Sequence, residues 1–358
     1  MSKQSEAYEG VIGNAVAIKA TEIVLPGEVE PDGLQVRVRD LPAPGQGQVV
    51  LRMEATGVSF AEQQMRLGTY YDQPPYPFVP GYDVVGTVVA TGPGVDRALQ
   101  GRLVAAVTKI GGWASHLLLD AGDLVPVPDG VSAAAAETVL VNGVTAWQML
   151  HRKATVDAGG TVVVLGANGG VGSTLVQLAR AAGMTVIGTA SAMHHDAVRK
   201  LGAIPVDYRE PDMYQRIRAL APKGVDAVFD HVGGAGLPQS WRLLRRGGTL
   251  VSYGAAAAKG EPGNALLGVL KLFTRIFAWH HLPNGKSAYF YNFWAGRRRR
   301  TAFQARLAED LTQVLRMVAD GTLAPQIAAQ IPLSQTAAAL SLAESRTVMG
   351  KVVIVADA

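Results

Sequence analysis

Val162-Val-Val-Leu-Gly-Ala-Asn-Gly-Gly-Val-Gly172 runs a hydrophobic strand straight into a glycine turn, and apolar Val171, Leu175, Leu178 and Ala182 continue it at helical spacing. Strand, turn and helix in that order are the context in which a G-x-G-x-x-G fingerprint binds a dinucleotide. Its three positions fall on Ala167, Gly169 and Gly172, with alanine in place of the first glycine. Gly169 would let the backbone approach a pyrophosphate, and Gly172 would let the helix pack tightly on the sheet. The N–H groups and dipole of the helix start would hold the anion. An ordinary strand-to-helix turn is the bland alternative, and the flanking strand and helix weigh against it.

About twenty residues on, where a carboxylate would bind the adenosine ribose of NAD, the sequence reads Ile187-Gly-Thr-Ala-Ser191. A small, uncharged strand end leaves room for a 2′-phosphate, with His194, Arg199, Lys200 and Arg209 as nearby donors. The expected cofactor is therefore NADPH rather than NADH. The bland alternative is that these basic residues only solvate a helix face.

The 358 residues point to two domains, and 48% hydrophobic against 17% charged residues describes a globular chain with ample core. A net charge of +4, with one short basic run at Arg297 to Arg300, makes nucleic acid an unsuitable main partner. The absence of cysteine removes disulfides, thiolate nucleophiles and thiolate zinc sites. Met1 to Gly10 lacks the apolar core of a secretory signal, so a cytosolic address is expected. Ala265 to Leu282 is apolar but carries Lys271 and Arg275, which argues against a membrane-spanning helix and leaves room for an amphipathic surface helix.

Short β-like runs at 36–38, 48–54, 84–90, 103–107 and 115–119, broken by Pro and Gly, predict a loop-rich β domain. After Asp129 the pattern alternates between strands (161–165, 185–189, 204–208, 225–230, 249–253) and helices, predicting a doubly wound parallel sheet. A helix over 301–320 and a strand over 351–355 follow, the strand able to return to the first domain. The expected division is 1–130 with 321–358, and 131–320.

Together with the glycine turn, Gly57-Val-Ser-Phe-Ala-Glu62, Pro77-Phe-Val-Pro-Gly-Tyr-Asp83 and Gly143-Val-Thr-Ala146 resemble the medium-chain dehydrogenase/reductase superfamily, in its zinc-free quinone oxidoreductase branch. The resemblance covers nearly the whole chain. It implies a GroES-like β-rich domain, a Rossmann domain, an active-site cleft between them, and a homodimer. In zinc-dependent relatives a Cys would stand at Ser59 and a His-Glu pair at Tyr82-Asp83, and the four-cysteine lobe is missing from 104–113, so no metal is expected. By the same resemblance Ser59 replaces an active-site Asn, Tyr70 lines the substrate cleft, Thr145 lies near the nicotinamide and Tyr208 borders the 2′-phosphate. His194 replaces a phosphate-binding Lys. The expected cofactor contacts are Thr145, Ala167, Asn168, Gly169, Gly170, Val171, Gly172, Ser191, His194, Tyr208, Val232 and Tyr253. Tyr70 and Ser59 are the expected catalytic donors.

This reading is an NADPH-dependent oxidoreductase that passes hydride to a quinone or α,β-unsaturated carbonyl compound, a small-molecule substrate. The second reading is a dinucleotide-sensing or membrane-peripheral protein of the same fold, suggested by the aromatic insert 266–293 and the Arg run behind it. A pocket lid or subunit interface is the plainer use of such an insert. The adjacent pairs His194-His195 and His280-His281 diverge on any regular element and make no metal set.

Overall fold

The computed structural model describes residues 18–254 and 265–357. The polar start, Met1 to Gly10, on which the cytosolic expectation rests, lies outside the described residues, as do 255–264.

Two sheets of opposite character organise the chain. β1 (Ile18–Val24) pairs antiparallel with β2 (Gln35–Leu41), forming a small ribbon that the sequence pattern showed only in its second half. β3 (Gln48–Val58), β4 (Asp83–Thr91), β5 (Leu103–Val107) and β6 (His116–Asp120) make an antiparallel body on the expected runs, joined by the short β7 (Val125–Pro126), which the pattern did not show, with α1 (Phe60–Arg66) between β3 and β4.

α2 (Ala133–Trp147) leads to the second sheet. Its strands are β8 (Thr161–Val164), β9 (Thr185–Ala190), β10 (Ile204–Asp207), β11 (Val225–Asp230), β12 (Leu244–Ser252) and β13 (Ser287–Phe290), all parallel in the order β10-β9-β8-β11-β12-β13. That order reverses beside β8, the switch point at which doubly wound sheets open a ligand crevice. β13 falls inside the aromatic insert, where aromatic content masked the strand. The helices among these strands are α3 (Gly170–Ala181), α4 (His195–Lys200), α5 (Met213–Leu220), α6 (Leu237–Leu243) and α7 (Ala265–His281).

α8 (Arg300–Ala319) packs on α2 within one hydrophobic cluster, where Leu311, Val314 and Leu315 meet Val139, Leu140 and Val144, and the same cluster takes in Ala55, Val85 and Ala105 of the first sheet. The two helices are thus the layer that joins the sheets. After α8, β14 (Ile327–Pro332), α9 (Thr336–Ser345) and β15 (Lys351–Val355) return to the first sheet, β15 pairing antiparallel with β3. The return crosses the second sheet's edge: Gly350 N–H donates to the Asn168 carbonyl, and Gly350 bridges Gly169.

Candidate functional site

The glycine turn sits at the carboxyl end of β8, at the switch point. The left-handed backbone that a tight turn needs is at Gly166 (φ +71°), one residue before the fingerprint position read as Ala167. Ala167 is fully buried and its N–H goes to the Thr189 carbonyl at 2.8 Å, so it shapes the turn from beneath. A Cβ on Gly172 would stand 2.1 Å from the Gly166 oxygen, so the helix can pack this closely only on glycine. Gly169 differs: a Cβ there would meet nothing closer than 3.5 Å, so the space above it is open to a ligand. Asn168, Gly169, Gly170 and Val171 are partly exposed, and the first N–H groups of α3 have no intrahelical acceptor. These are the features of an anion cradle.

Around it the expected residues gather at strand ends. Ser191 and His194 follow β9, both buried, and His194 Nε2 has no hydrogen-bond partner among the described residues. Tyr208 is 52% exposed beside Arg209, whose guanidinium lies 5.8 Å from the Tyr208 ring centroid. The sequence showed no carboxylate at the end of β9, yet the fold brings one there from β10: Asp207 accepts the Ala192 N–H at 3.1 Å. Val232 follows β11 in a loop that Asp230 pins by accepting the N–H groups of Val232 and Gly233 at 2.8 Å. Tyr253 follows β12.

Three residues here escaped the sequence reading. His231 stands between the turn and Tyr253: a Cβ on Gly166 would touch its ring, and its Nδ1 is buried and unpartnered among the described residues. Burial and the charge of Arg346 push its pKa down, against an opposing pull from Asp230. Arg346 itself, in left-handed backbone (φ 57°) just past α9, shares the segment with Gly350 and so flanks the turn from the other sheet. Asn142 lies beneath: a Cβ on Gly170 would meet its Nδ2 at 2.3 Å. One turn along α2, Thr145 is buried and engages the Tyr291 phenol, which donates to Gln148 at 2.9 Å. No pattern in the sequence separates these three residues from ordinary helix and loop positions.

The second half of the site is an aromatic wall. Tyr70 and Tyr82 approach hydroxyl to hydroxyl at 3.0 Å, and the Trp294 indole N–H donates to the Tyr82 oxygen. Phe293 and Trp294 pack on the Tyr82 ring at 6.4 and 5.6 Å. Burial, then the neighbouring Tyr82, pushes the Tyr70 phenol well above its ordinary pKa, so it stays a neutral donor. Ser59 caps α1 in a capping box. It accepts the Ala61 N–H at 3.1 Å and its hydroxyl donates to Glu62, which also accepts the Ser59 and Tyr82 N–H groups at 2.9 and 2.7 Å. While Glu62 is a carboxylate, the Ser59 hydrogen is therefore committed, and Tyr70 is the better placed of the two expected donors.

Behind Glu62 lies a buried ionic cluster. The Lys351 ammonium is 2.9 Å from Asp83 and also pairs with Glu137. Burial works against that ammonium, but Asp83 and Glu137 more than offset it and raise its pKa; burial raises Glu137, and burial followed by Asp83 raises Glu62. Among the described residues no group of three or more His, Cys, Asp or Glu side chains is placed to hold a metal ion. The side chains at the positions that the resemblance assigns to zinc ligands are otherwise engaged, Ser59 by Glu62, Tyr82 by Trp294 and Tyr70, and Asp83 by Lys351. That donor set does not fit zinc.

A parallel 3-2-1-4-5-6 sheet with an anion cradle at its switch point, joined to an antiparallel β body, defines a two-domain fold of the kind on which dinucleotide-dependent oxidoreductases are built. Residues 45–129 match the family described as alcohol dehydrogenase GroES-like domain, and 201–354 the one described as zinc-binding dehydrogenase. The synaptic vesicle membrane protein VAT-1 homolog of Homo sapiens is 35% identical over 68% of the chain, which spans 63% of that relative. A 2-haloacrylate reductase of a Burkholderia species is 30% identical over 92% of the chain and 96% of its own length. Among solved structures, a mycobacterial protein complexed with NADPH has TM-score 0.78 at 27% identity, covering 94% of this chain and 99% of that one. A quinone oxidoreductase of Pseudomonas syringae has TM-score 0.79 at 26% identity with the same coverage. The chain belongs to the medium-chain dehydrogenase/reductase superfamily, in its quinone oxidoreductase-like branch.

Proposed function

We propose that the protein is an NADPH-dependent oxidoreductase that reduces a quinone or an α,β-unsaturated carbonyl compound without zinc. The observation that carries this reading is the Tyr70 phenol, held neutral beside an aromatic wall that connects through Tyr291 to the buried Thr145, with every expected zinc-ligand position otherwise engaged. The relative named 2-haloacrylate reductase, the quinone oxidoreductase and the NADPH complex support it.

The bound nicotinamide would supply the hydride. The chain supplies the rest. Gly169 and the N–H groups of α3 cradle the pyrophosphate, and Arg346 adds a cation from the other sheet. Arg209 and Tyr208 border the 2′-phosphate, with the Asp207 carboxylate nearby acting against it. Thr145, steadied by Tyr291 and Gln148, faces the reactive end. Tyr70 donates a hydrogen bond to the oxygen on which negative charge develops, and Phe293 and Trp294 exclude water. The expected homodimer belongs to the same proposal, with the open edge of β13 as its surface. The test is NADPH oxidation, followed by loss of near-ultraviolet absorbance, against a panel of quinones and enones with and without a zinc chelator. Chelator-insensitive turnover supports the reading; NADPH binding with no turnover on any acceptor overturns it.

A second reading is favoured by α7. Phe273 and Phe277 on it are 45% and 66% exposed, and the sequence from 262 to 308 has eight Lys or Arg and no acidic residue. Such a face suits an anionic lipid surface. The Arg run contributes less than its sequence suggests, because Arg297 pairs with Asp72 and Arg300 with Asp120 and Asp123. Among the described residues no helix is long and apolar enough to cross a membrane. Flotation with phosphatidylserine vesicles that Phe277→Glu abolishes would support peripheral binding, and equal flotation of the variant would exclude this face.

A further inference from the structure

We propose that Trp294 and Tyr82 are positioning residues that fix the direction in which Tyr70 donates its hydroxyl hydrogen; the assignment of Tyr70 to the substrate oxygen rests on the oxidoreductase reading above. An indole N–H can only donate. Trp294 Nε1 gives its hydrogen to the Tyr82 oxygen, which is thereby an acceptor, and the Tyr82 hydrogen must find a partner of its own. Tyr82 is 6% exposed, and among the described residues its hydroxyl has two hydrogen-bond partners, Trp294 and Tyr70.

If Tyr70 donated to Tyr82, the Tyr82 oxygen would accept twice and its hydrogen would be buried without an acceptor, an arrangement that carries the full desolvation penalty of that donor. The satisfied arrangement runs one way: Trp294 to Tyr82, Tyr82 to Tyr70. It leaves the Tyr70 hydrogen free for a ligand, or for the exposed Tyr71 hydroxyl whose ring lies 4.7 Å away when no ligand is bound. Trp294 is itself held in place. Its backbone N–H donates to Asn292 Oδ1 at 2.9 Å, and its ring stacks on Phe303 of α8 at 5.7 Å. A loop that follows β13 of the parallel sheet therefore sets the polarity of a donor that belongs to the antiparallel body.

Trp294→Phe keeps the stack and removes the N–H, which frees the Tyr82 oxygen to draw the Tyr70 hydrogen away. With an accepted quinone or enone, kcat should fall about tenfold, part of the loss on the order of 10²-fold that deleting an oxyanion donor causes, while KM for NADPH is unchanged. In a Tyr70→Phe background the same substitution should cost nothing further. An equal loss in both backgrounds, or no loss in either, would mean packing alone and overturn the proposal. Neutron diffraction of the perdeuterated protein reads the polarity without turnover. A Tyr70 deuteron directed away from Tyr82 supports the chain, and one on the line between the two oxygens refutes it even if the activity reading stands. Should no acceptor be reduced, the activity reading fails and the diffraction result still decides the polarity.

Discussion

Lys351 holds its ammonium 2.9 Å from the Asp83 carboxylate across 268 residues of sequence, with both side chains almost wholly withdrawn from solvent. Glu137 shares the same ammonium, and a Cβ on Gly57 would collide with both Glu137 and Lys351, so the pair has room only beside glycine. Removing one member of a buried pair strands the other's charge, and Lys351→Met should lower stability by about 3–5 kcal/mol. Urea unfolding measures this; a much smaller loss would mean that the carboxylates take up protons and relax.

The two glycines of the cradle should behave differently. Gly172→Ala forces a methyl against the Gly166 backbone and should lower stability by about 1–3 kcal/mol. Gly169 has extended backbone and open space around it, so Gly169→Ala should melt like the parent protein while weakening NADPH binding about tenfold or more, because the methyl stands where the ligand approaches. Thermal melts and a fluorescence titration separate the two effects. Unchanged affinity in Gly169→Ala would place the pyrophosphate elsewhere.

Under the proposed function, Arg346 and Arg209 should serve different parts of the cofactor. Arg346 flanks the turn, so Arg346→Ala should weaken NADPH and NADH binding by the same factor. Arg209 stands by Tyr208, so Arg209→Ala should weaken NADPH alone. Asp207→Asn, by removing the nearby carboxylate, should shift preference towards NADPH. Parallel titrations with both nucleotides check all three, and an Arg346→Ala effect confined to NADPH would relocate that residue to the 2′-phosphate.

His231 should contribute to acid sensitivity. Burial depresses its pKa in the folded protein below the ordinary 6.5, so under acid conditions the unfolded chain binds a proton that the folded one refuses. Stability therefore falls as pH drops below that ordinary value, by at most ~1.4 kcal/mol per pH unit for one such group. His116 and His151 act with the same sign. His231→Gln should flatten part of the fall between about pH 7 and 5; an unaltered slope would show that the ring is solvated.

Local pattern was enough for the strand–glycine–helix unit at 161–181, for the alternation that builds a parallel sheet, and for the β runs of the first body, because each depends on residues a few positions apart and on the backbone freedom of glycine. Tyr70 came from the family resemblance and not from local pattern. Tertiary structure alone decided the rest. The turn's left-handed glycine proved to be Gly166, since only the packed turn shows which residue bends. Asp207 reached the end of β9 from a neighbouring strand. Arg297 and Arg300, a free basic run on paper, are paired with aspartates some two hundred residues earlier. Trp294 reached Tyr82, and Lys351 reached Asp83, because the last strand returns to the first sheet. Hydrogen bonds and ion pairs between segments so distant in sequence leave no periodicity to read, and only the packed chain brings their partners together.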